Sequence, residues 1–144
     1  MTTPDAGPPR DAERGPVVVA RLVGVYDADG GLAGEARYVV GHLLGRLECA
    51  LCDITHGPVR RKKTFDALRA RLGVPFDVVH RNERSPEVAR ATGDALPCVV
   101  AVTDSGIVTL LDRASLEACG GRVDGLEAAL RTAAVDRQLV VPWR

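Results

Sequence analysis

The apolar residues in the first half of the chain fall into four segments with strand or helix periodicity. Residues 17–25 form an apolar, β-branched run that is too short for a helix and predicts a buried strand. Between residues 32 and 47 the apolar positions recur every three or four residues, as in an amphipathic helix. Residues 47–54 predict a second strand, and residues 59–72 predict a helix that Gly73 terminates.

The second half of the chain predicts a third strand, a short helix, a hairpin and a final helical region. Their bounds are 74–80 for the strand, 86–93 for the helix, 98–102 and 107–111 for the hairpin strands, and 113–135 for the helical region, interrupted at Gly120-Gly121. Ser85 and Pro86 are an N-cap and a first-turn proline, and Asp104-Ser105-Gly106 predicts the hairpin turn. The order βαβαβαββα predicts an α/β domain with a mixed central sheet flanked by helices.

Composition and charge narrow the class of protein. Residues 1–15 carry three of the nine prolines and predict a disordered tail, followed by a single domain over 16–136 and a C-terminal tail over 137–144. Lys+Arg 19 balance Asp+Glu 19, which argues against electrostatically driven binding to nucleic acid or to a membrane. No apolar run approaches the roughly 18 residues of a membrane span, and the first fifteen residues lack the apolar stretch of a secretory signal. We therefore expect a cytoplasmic protein.

Three short motifs between Leu47 and Val135 occur in an order that resembles the thioredoxin fold. The turn Thr55-His56-Gly57-Pro58-Val59 stands where that superfamily places Cys-Gly-Pro-Cys, and Pro97 stands where it places a cis-proline. Asp104-Ser105-Gly106 forms the hairpin turn that follows. The resemblance implies a thioredoxin-like domain with the first strand and helix as an N-terminal addition. Because the turn at His56 contains no cysteine, the standard dithiol mechanism does not carry over to it.

Two further blocks resemble a family of small bacterial proteins of uncharacterised activity. They are Tyr26-x-Ala28-Asp29-x-Gly31 and Cys49-x-Leu51-Cys52-x-Ile54-Thr55-His56-Gly57. The family carries the blocks Tyr-Asn-Ala-Asp-Ser-Gly and Cys-x-Leu-Cys-x-Leu-Thr-Tyr-Gly. This resemblance implies that the two blocks of the present chain form one site, and it implies no particular activity.

The Cys-x-x-Cys pair, Cys49 and Cys52, is the main candidate for chemistry, because cysteine pairs in a reducing compartment more often serve metal or redox sites than structure. In a regular strand their Cα atoms would lie about 10 Å apart, beyond the roughly 4.4–6.8 Å of a disulfide. A bridge between them therefore requires a turn at this point. The predicted strand order places Cys98 beside Cys52 as a second possible partner, and Cys119 is expected to be a small buried residue.

One interpretation of the pair is a thiol-redox or thiol-transfer site that acts on an unknown thiol or protein partner. Cys52 would be the nucleophile, and Cys49 or Cys98 would resolve the intermediate. His56 is expected just before a helix N-terminus, where the helix dipole disfavours the protonated ring and leaves a neutral base. Pro97 would shape the edge at which the substrate binds.

Two other interpretations stay open. A metal site, with zinc as the favoured ion, would draw on Cys/His ligands: Cys49, Cys52 and His56, joined by His42 or Cys98. Alternatively, the cysteines pack the core and the protein is a non-catalytic interaction module that uses the basic face at residues 60–63. No phosphate-binding loop is present, so zinc is the one cofactor that the sequence suggests.

Four further side chains belong to the candidate site because α/β sheets place their sites at the carboxyl ends of strands. They are Tyr26, Asp27, Asp29 and Thr55. The two carboxylates could bind a metal ion or act as acid and base. A plain turn, with Asp29 as a helix N-cap, explains the same residues.

Overall fold

A four-stranded mixed sheet forms the centre of the fold in the computed structural model, which describes residues 15–29, 49–57 and 62–144. The strands are β1 (Val17–Val18), β2 (Arg21–Val25), β3 (Phe76–Val79), β4 (Cys98–Thr103), β5 (Gly106–Leu111) and β6 (Leu139–Val140). The central sheet has the order β3-β2-β4-β5, and β1 pairs with β6 in a separate two-stranded sheet. The predicted α/β class with a mixed sheet and flanking helices is confirmed.

The pairing within the central sheet combines a parallel half with an antiparallel half. β2 runs parallel to β3 and antiparallel to β4, with Val25 opposite both Val79 and Cys98. β4 and β5 are joined at residues 104–105 as the predicted antiparallel hairpin. The carboxyl ends of β2 and β3 therefore lie next to the first residue of β4, at the same end of the sheet.

Five helices and one 3₁₀ helix accompany the strands in the described residues. The helices are α1 (Ala50–Thr55), α2 (Lys63–Arg71), α3 (Pro86–Thr92), α4 (Arg113–Glu117) and α5 (Val123–Asp136), and the 3₁₀ helix spans Arg81–Glu83. The Ser85 side chain accepts a hydrogen bond from the backbone N–H of Val88, as the predicted N-cap requires. None of these helices combines the length and the apolar character needed to cross a membrane.

The two faces of the central sheet carry separate hydrophobic cores, because side chains alternate along each strand. The larger core contains Leu22 and Val99 together with buried residues of α1, α2 and α5. The smaller core contains Val25, Cys98 and Val88. A residue's place along its strand therefore decides which of the two cores it enters.

The predicted second strand is wrong, because residues 50–55 form α1. The buried residues Leu51, Ile54 and Thr55 are spaced three and four apart, which is the spacing of one helix face. A short apolar run does not distinguish a buried strand from a short buried helix. As a result β2, which was expected to be an N-terminal addition, takes the position beside β4.

The last residues of the chain belong to the fold, although the sequence predicts a tail over 137–144. Leu139–Val140 form β6 and pair in parallel with β1, and Val141 is buried in the larger core. Residues 1–14 of the predicted tail over 1–15 lie outside the described residues, as do the predicted helix over 32–47 and the predicted helix start at Val59.

Candidate dithiol site

Cys49 and Cys52 lie at the start of α1, a geometry that differs from the expected strand. Cys49 is the extended N-cap residue, with φ −137° and ψ 110°, and Cys52 follows in the first turn. Side chains three residues apart on a helix are neighbours, with about 5–6 Å between their Cβ atoms. Both thiols are reduced, in no disulfide, and buried. Helical geometry thus brings together two sulfurs that a strand would have kept apart.

Hydrogen bonding lowers the pKa of the Cys49 thiol from its ordinary value. The largest cause is the side chain of Cys52, whose thiol donates toward the Cys49 sulfur, and the backbone N–H of Asp27 donates as well. The backbone N–H of Cys52 adds a smaller effect, in a geometry short of a true cap hydrogen bond. Burial and the Asp27 carboxylate act in the opposite direction. The donors outweigh both, so the Cys49 thiolate is favoured.

Cys98 does not join this pair, which corrects the expected position beside Cys52. It lies in β4 opposite Val25 and packs into the smaller core, whereas Cys49 and Cys52 pack into the larger core. The sheet therefore separates Cys98 from both thiols. Its apolar surroundings raise the pKa of Cys98 to about 11. The expectation for Cys119 is confirmed: it is a small buried residue, and burial raises its pKa.

His56 ends α1 as its C-cap, whereas the sequence placed it after a strand. The helix start expected at Val59 lies outside the described residues. The residues before it form a helix, and the next helix in the described chain begins only at Lys63. At 1.5 Å per residue, His56 lies about 10 Å along the axis from Cys49. The expectation of a neutral base relied on the positive pole of a helix N-terminus. This end of α1 carries the negative pole instead, so the dipole of α1 does not support that expectation.

A short chain of hydrogen bonds joins Tyr26, Thr55 and His56. The Tyr26 hydroxyl lies 2.8 Å from the Thr55 hydroxyl and 3.3 Å from Nδ1 of His56. The Thr55 hydroxyl also lies 2.8 Å from that ring nitrogen. Tyr26 and Thr55 are both buried. The structure thus brings Tyr26 together with Thr55 and His56, and the contacts anchor the end of α1 to the end of β2.

Two arginines hold the predicted carboxylates. An Nη2 atom of Arg113 donates to Asp27 at 2.8 Å, and Nη1 of Arg81 lies 3.6 Å from the other oxygen of Asp27. Arg81 also donates from Nε to Asp29 at 3.0 Å. Sequence reasoning missed both arginines, because they lie 52 or more residues away from the acids and belong to no local motif. The carboxylates are therefore engaged in ion pairs.

Pro97 lies at the start of β4, at the same edge of the sheet. The Leu96–Pro97 peptide bond is cis, and Arg113 donates a hydrogen bond to the Leu96 carbonyl oxygen. Beside this turn lies a cavity of about 350 Å³ whose lining includes Asp94, Leu96 and Arg113. Arg113 therefore connects the turn before Pro97 to Asp27, whose backbone N–H donates to Cys49.

The expected metal ligands do not assemble in the part of the chain that the structure describes. There, no group of three or more His, Cys, Asp or Glu side chains is arranged to hold a metal ion. Cys49, Cys52 and His56 are spread over both ends of α1, and Cys98 is across the sheet. His42, the other expected ligand, lies outside the described residues, as do Arg60 and Arg61 of the predicted basic face.

No protein-family model matches the chain, and no curated protein or solved structure matches it.

Proposed function

We propose that the protein is a cytoplasmic, thioredoxin-like thiol–disulfide oxidoreductase whose reactive dithiol is Cys49 and Cys52. The order β3-β2-β4-β5, with β4 antiparallel to both neighbours, supports the thioredoxin-like topology. The cis-proline directly before β4 supports it as well. In this arrangement the fold begins at β2, and the dithiol stands at the start of the first described helix after that strand.

The observation that carries the proposal is the convergence of hydrogen-bond donors on the Cys49 sulfur. Thiolates rather than thiols attack disulfides, so the thiol whose ionised form is stabilised is the better nucleophile. The Cys52 thiol and the Asp27 N–H favour the thiolate of Cys49. We therefore assign attack to Cys49 and resolution to Cys52, the reverse of the order that the sequence suggested.

The proposed reaction transfers two electrons from the dithiol to a substrate disulfide. The Cys49 thiolate attacks one substrate sulfur, which forms a mixed disulfide and releases the other sulfur as a thiolate. Cys52 then loses its proton and attacks the Cys49 sulfur, which forms the Cys49–Cys52 disulfide and releases the second substrate thiolate. The proton from Cys52 and one from solvent convert both leaving groups to thiols. A low-molecular-weight thiol restores the dithiol by the reverse exchange.

Access to the sulfurs sets the choice of probe. Only 2% of Cys49 and 6% of Cys52 are exposed, so a small reagent reaches them more readily than a protein disulfide does. Iodoacetamide reacts with thiolates and is small enough for this purpose. Its rate at each cysteine, followed by mass spectrometry over a range of pH, reports the thiolate fraction residue by residue.

In the reduced native protein we expect Cys49 to be alkylated with a pH midpoint below the ordinary cysteine value of 9.0. The Cys52→Ala variant removes the largest cause of the lowered pKa, so the midpoint for Cys49 should rise. The Cys98→Ala variant removes a thiol from the other core and should leave that midpoint unchanged. A Cys49 midpoint at or above the ordinary value in the wild-type protein would contradict the proposal.

Elemental analysis of the same sample tests the metal interpretation. Our proposal predicts metal-free protein with a reactive Cys49. Bound zinc near one equivalent, with Cys49 and Cys52 protected from alkylation until a chelator is added, would replace the redox assignment with a metal site. Four unreactive thiols without metal would instead favour the interaction module.

A further inference from the structure

Arg113 makes two hydrogen bonds that join separate parts of the candidate site. It stands at the first position of α4 and donates both to the Asp27 carboxylate, 2.8 Å away, and to the Leu96 carbonyl oxygen. Asp27 follows β2, and Leu96 precedes the cis-proline and β4. One nitrogen of the guanidinium, Nη2, makes both contacts and therefore connects the end of the central strand to the turn beside it.

Asp27 acts on Cys49 in two opposite ways. Its backbone N–H donates toward the sulfur and lowers the pKa of Cys49, whereas its carboxylate raises that pKa by charge repulsion. The net effect of Asp27 on the pKa of Cys49 depends on how far neighbouring cations neutralise its carboxylate charge. Arg113 at 2.8 Å is the nearer of its two cationic partners, and Arg81 at 3.6 Å is the other.

We infer that Arg113 is a positioning residue for the Cys49 thiolate, which it supports by neutralising the Asp27 carboxylate and by holding the Asp27 backbone against Cys49. This inference rests on the proposed function, since it assigns a partner to the same nucleophile. Arg113 touches neither sulfur directly. It acts through Asp27, and its hydrogen bond to Leu96 fixes where Asp27 stands.

The elements that form the site carry other charged groups, and these limit the size of the effect. α1 itself carries Asp53 and His56, α4 carries Glu117, and Arg81 continues to compensate Asp27 when Arg113 is lost. The Arg113 side chain is 52% exposed, so solvent screens part of its charge. Removing the charge should therefore raise the pKa of Cys49 modestly, because Arg113 acts only through the Asp27 carboxylate and is partly screened.

The test compares the pH profile of Cys49 alkylation in four variants: Arg113→Gln, Arg113→Lys, Asp27→Asn, and the double variant Arg113→Gln with Asp27→Asn. Arg113→Gln should raise the midpoint, with up to about three-fold less thiolate at neutral pH. Arg113→Lys keeps the charge but does not place a donor where Nη2 stands, so its midpoint should fall between those of Arg113→Gln and the wild type. Asp27→Asn removes the repulsive carboxylate, so its midpoint should lie below that of the wild type.

The double variant separates this electrostatic role from a general loss of structure. Once Asp27 carries no charge, the Arg113→Gln change should shift the midpoint much less than it does in the wild-type background. The matched control is Arg122→Gln, which breaks the exposed ion pair between Arg122 and Asp124 at the start of α5. It should leave the profile unchanged. Thermal unfolding of each variant confirms that it is folded under the assay conditions.

Two results would overturn the inference. One is an Arg113→Gln midpoint equal to that of the wild type in a folded variant. The other is an equal shift in the presence and absence of the Asp27 charge, which would assign Arg113 to structure alone. Failure of the proposed function looks different, because the wild-type protein itself would then show an ordinary midpoint for Cys49.

Discussion

Cys49 and Cys98 show how environment separates two residues of the same type. Cys49 is surrounded by donors at the start of α1, and these lower its pKa. Cys98 is buried among valines and leucine on the other face of the sheet, and burial raises its pKa to about 11. Both are buried, so burial alone does not decide the direction in which the pKa moves. The hydrogen-bond donors decide it.

The raised pKa of Cys98 makes a prediction about stability at alkaline pH. The folded state keeps this proton up to about pH 11, whereas an unfolded thiol loses it near 9.0. Between these values the folded state binds more protons, so the free energy of unfolding falls as the pH rises. The contribution is fully present below about pH 9 and amounts to about 3 kcal/mol, most of which is lost by about pH 11.

Denaturant unfolding at pH 8 and pH 11 measures this contribution. The Cys98→Ala variant should lose less stability between the two values than the wild type does. Val100→Ala, a substitution in the same core and the same strand, should lower stability at both pH values and keep the wild-type difference between them. An unchanged difference in Cys98→Ala would show that another group causes the alkaline loss.

At the scale of single elements, α1 depends on a glycine in the central strand. A Cβ atom at Gly24 would lie 3.1 Å from Cδ2 of Leu51 and 3.4 Å from Cε1 of Phe76. The missing side chain lets α1 approach the sheet closely, which places Cys49 beside the Asp27 backbone. Strand glycines often mark such a close approach.

Replacing Gly24 should therefore disturb both stability and the thiol site. Gly24→Val overfills the contact with Leu51 and should cost about 1–3 kcal/mol in the free energy of unfolding. It should also slow the alkylation of Cys49 at neutral pH, because α1 is pushed away from Asp27. Gly24→Ala adds one carbon that faces flexible side-chain ends and should have a much smaller effect. Equal behaviour of the two variants would contradict this packing account.

Some elements were predictable from sequence because their signals are local. The Ser85 cap and the turn before Gly106 depend on neighbouring residues, and the structure contains both. The helix α1 was not predictable, because a six-residue apolar run fits a strand as well. Its assignment depends on packing against Gly24, which is far away in the sequence.

At the scale of the whole molecule, the C-terminal segment covers the end of α2. The backbone N–H of Arg144 donates to the carbonyl oxygen of Arg71 at 2.8 Å. The Arg131 guanidinium lies 3.8 Å from the centre of the Trp143 ring, a cation–π contact. A Cβ atom at Gly73 would lie 1.7 Å from the Pro142 carbonyl oxygen. Only glycine at position 73 leaves room for this segment.

The Gly73→Ala variant should displace the C-terminal segment, because the obstruction is backbone rather than a movable side chain. We expect a loss of about 2 kcal/mol in the free energy of unfolding, typical of a disrupted packing contact. Trp143 is the single tryptophan of the chain, so its fluorescence reports the displacement. Gly24→Val serves as the control and should leave this fluorescence unchanged. Wild-type fluorescence in Gly73→Ala would contradict the prediction.

The sequence identified the site residues more fully than it identified their roles. Tyr26, Thr55, Cys49 and Cys52 were all candidates, and the structure places the last three along α1 and Tyr26 directly after β2, in contact with Thr55. The proposed roles differ from the expected ones because residues 50–55 form a helix instead of a strand. Cys49 rather than Cys52 is now the proposed nucleophile, and His56 lies at a helix C-terminus. Arg81 and Arg113 could not have been found, since their contacts with the acids exist only in the folded chain.

The central claim is that Cys49 and Cys52 form a reversible dithiol–disulfide pair. The most direct test equilibrates the native protein in glutathione buffers of increasing potential, quenches with acid, and maps free and bridged cysteines by mass spectrometry. We predict that Cys49 and Cys52 lose their thiols together in one two-electron step and form a bond with each other, while Cys98 and Cys119 stay free. Persistence of both thiols in oxidising glutathione, or a bridge from either one to Cys98, would contradict the account.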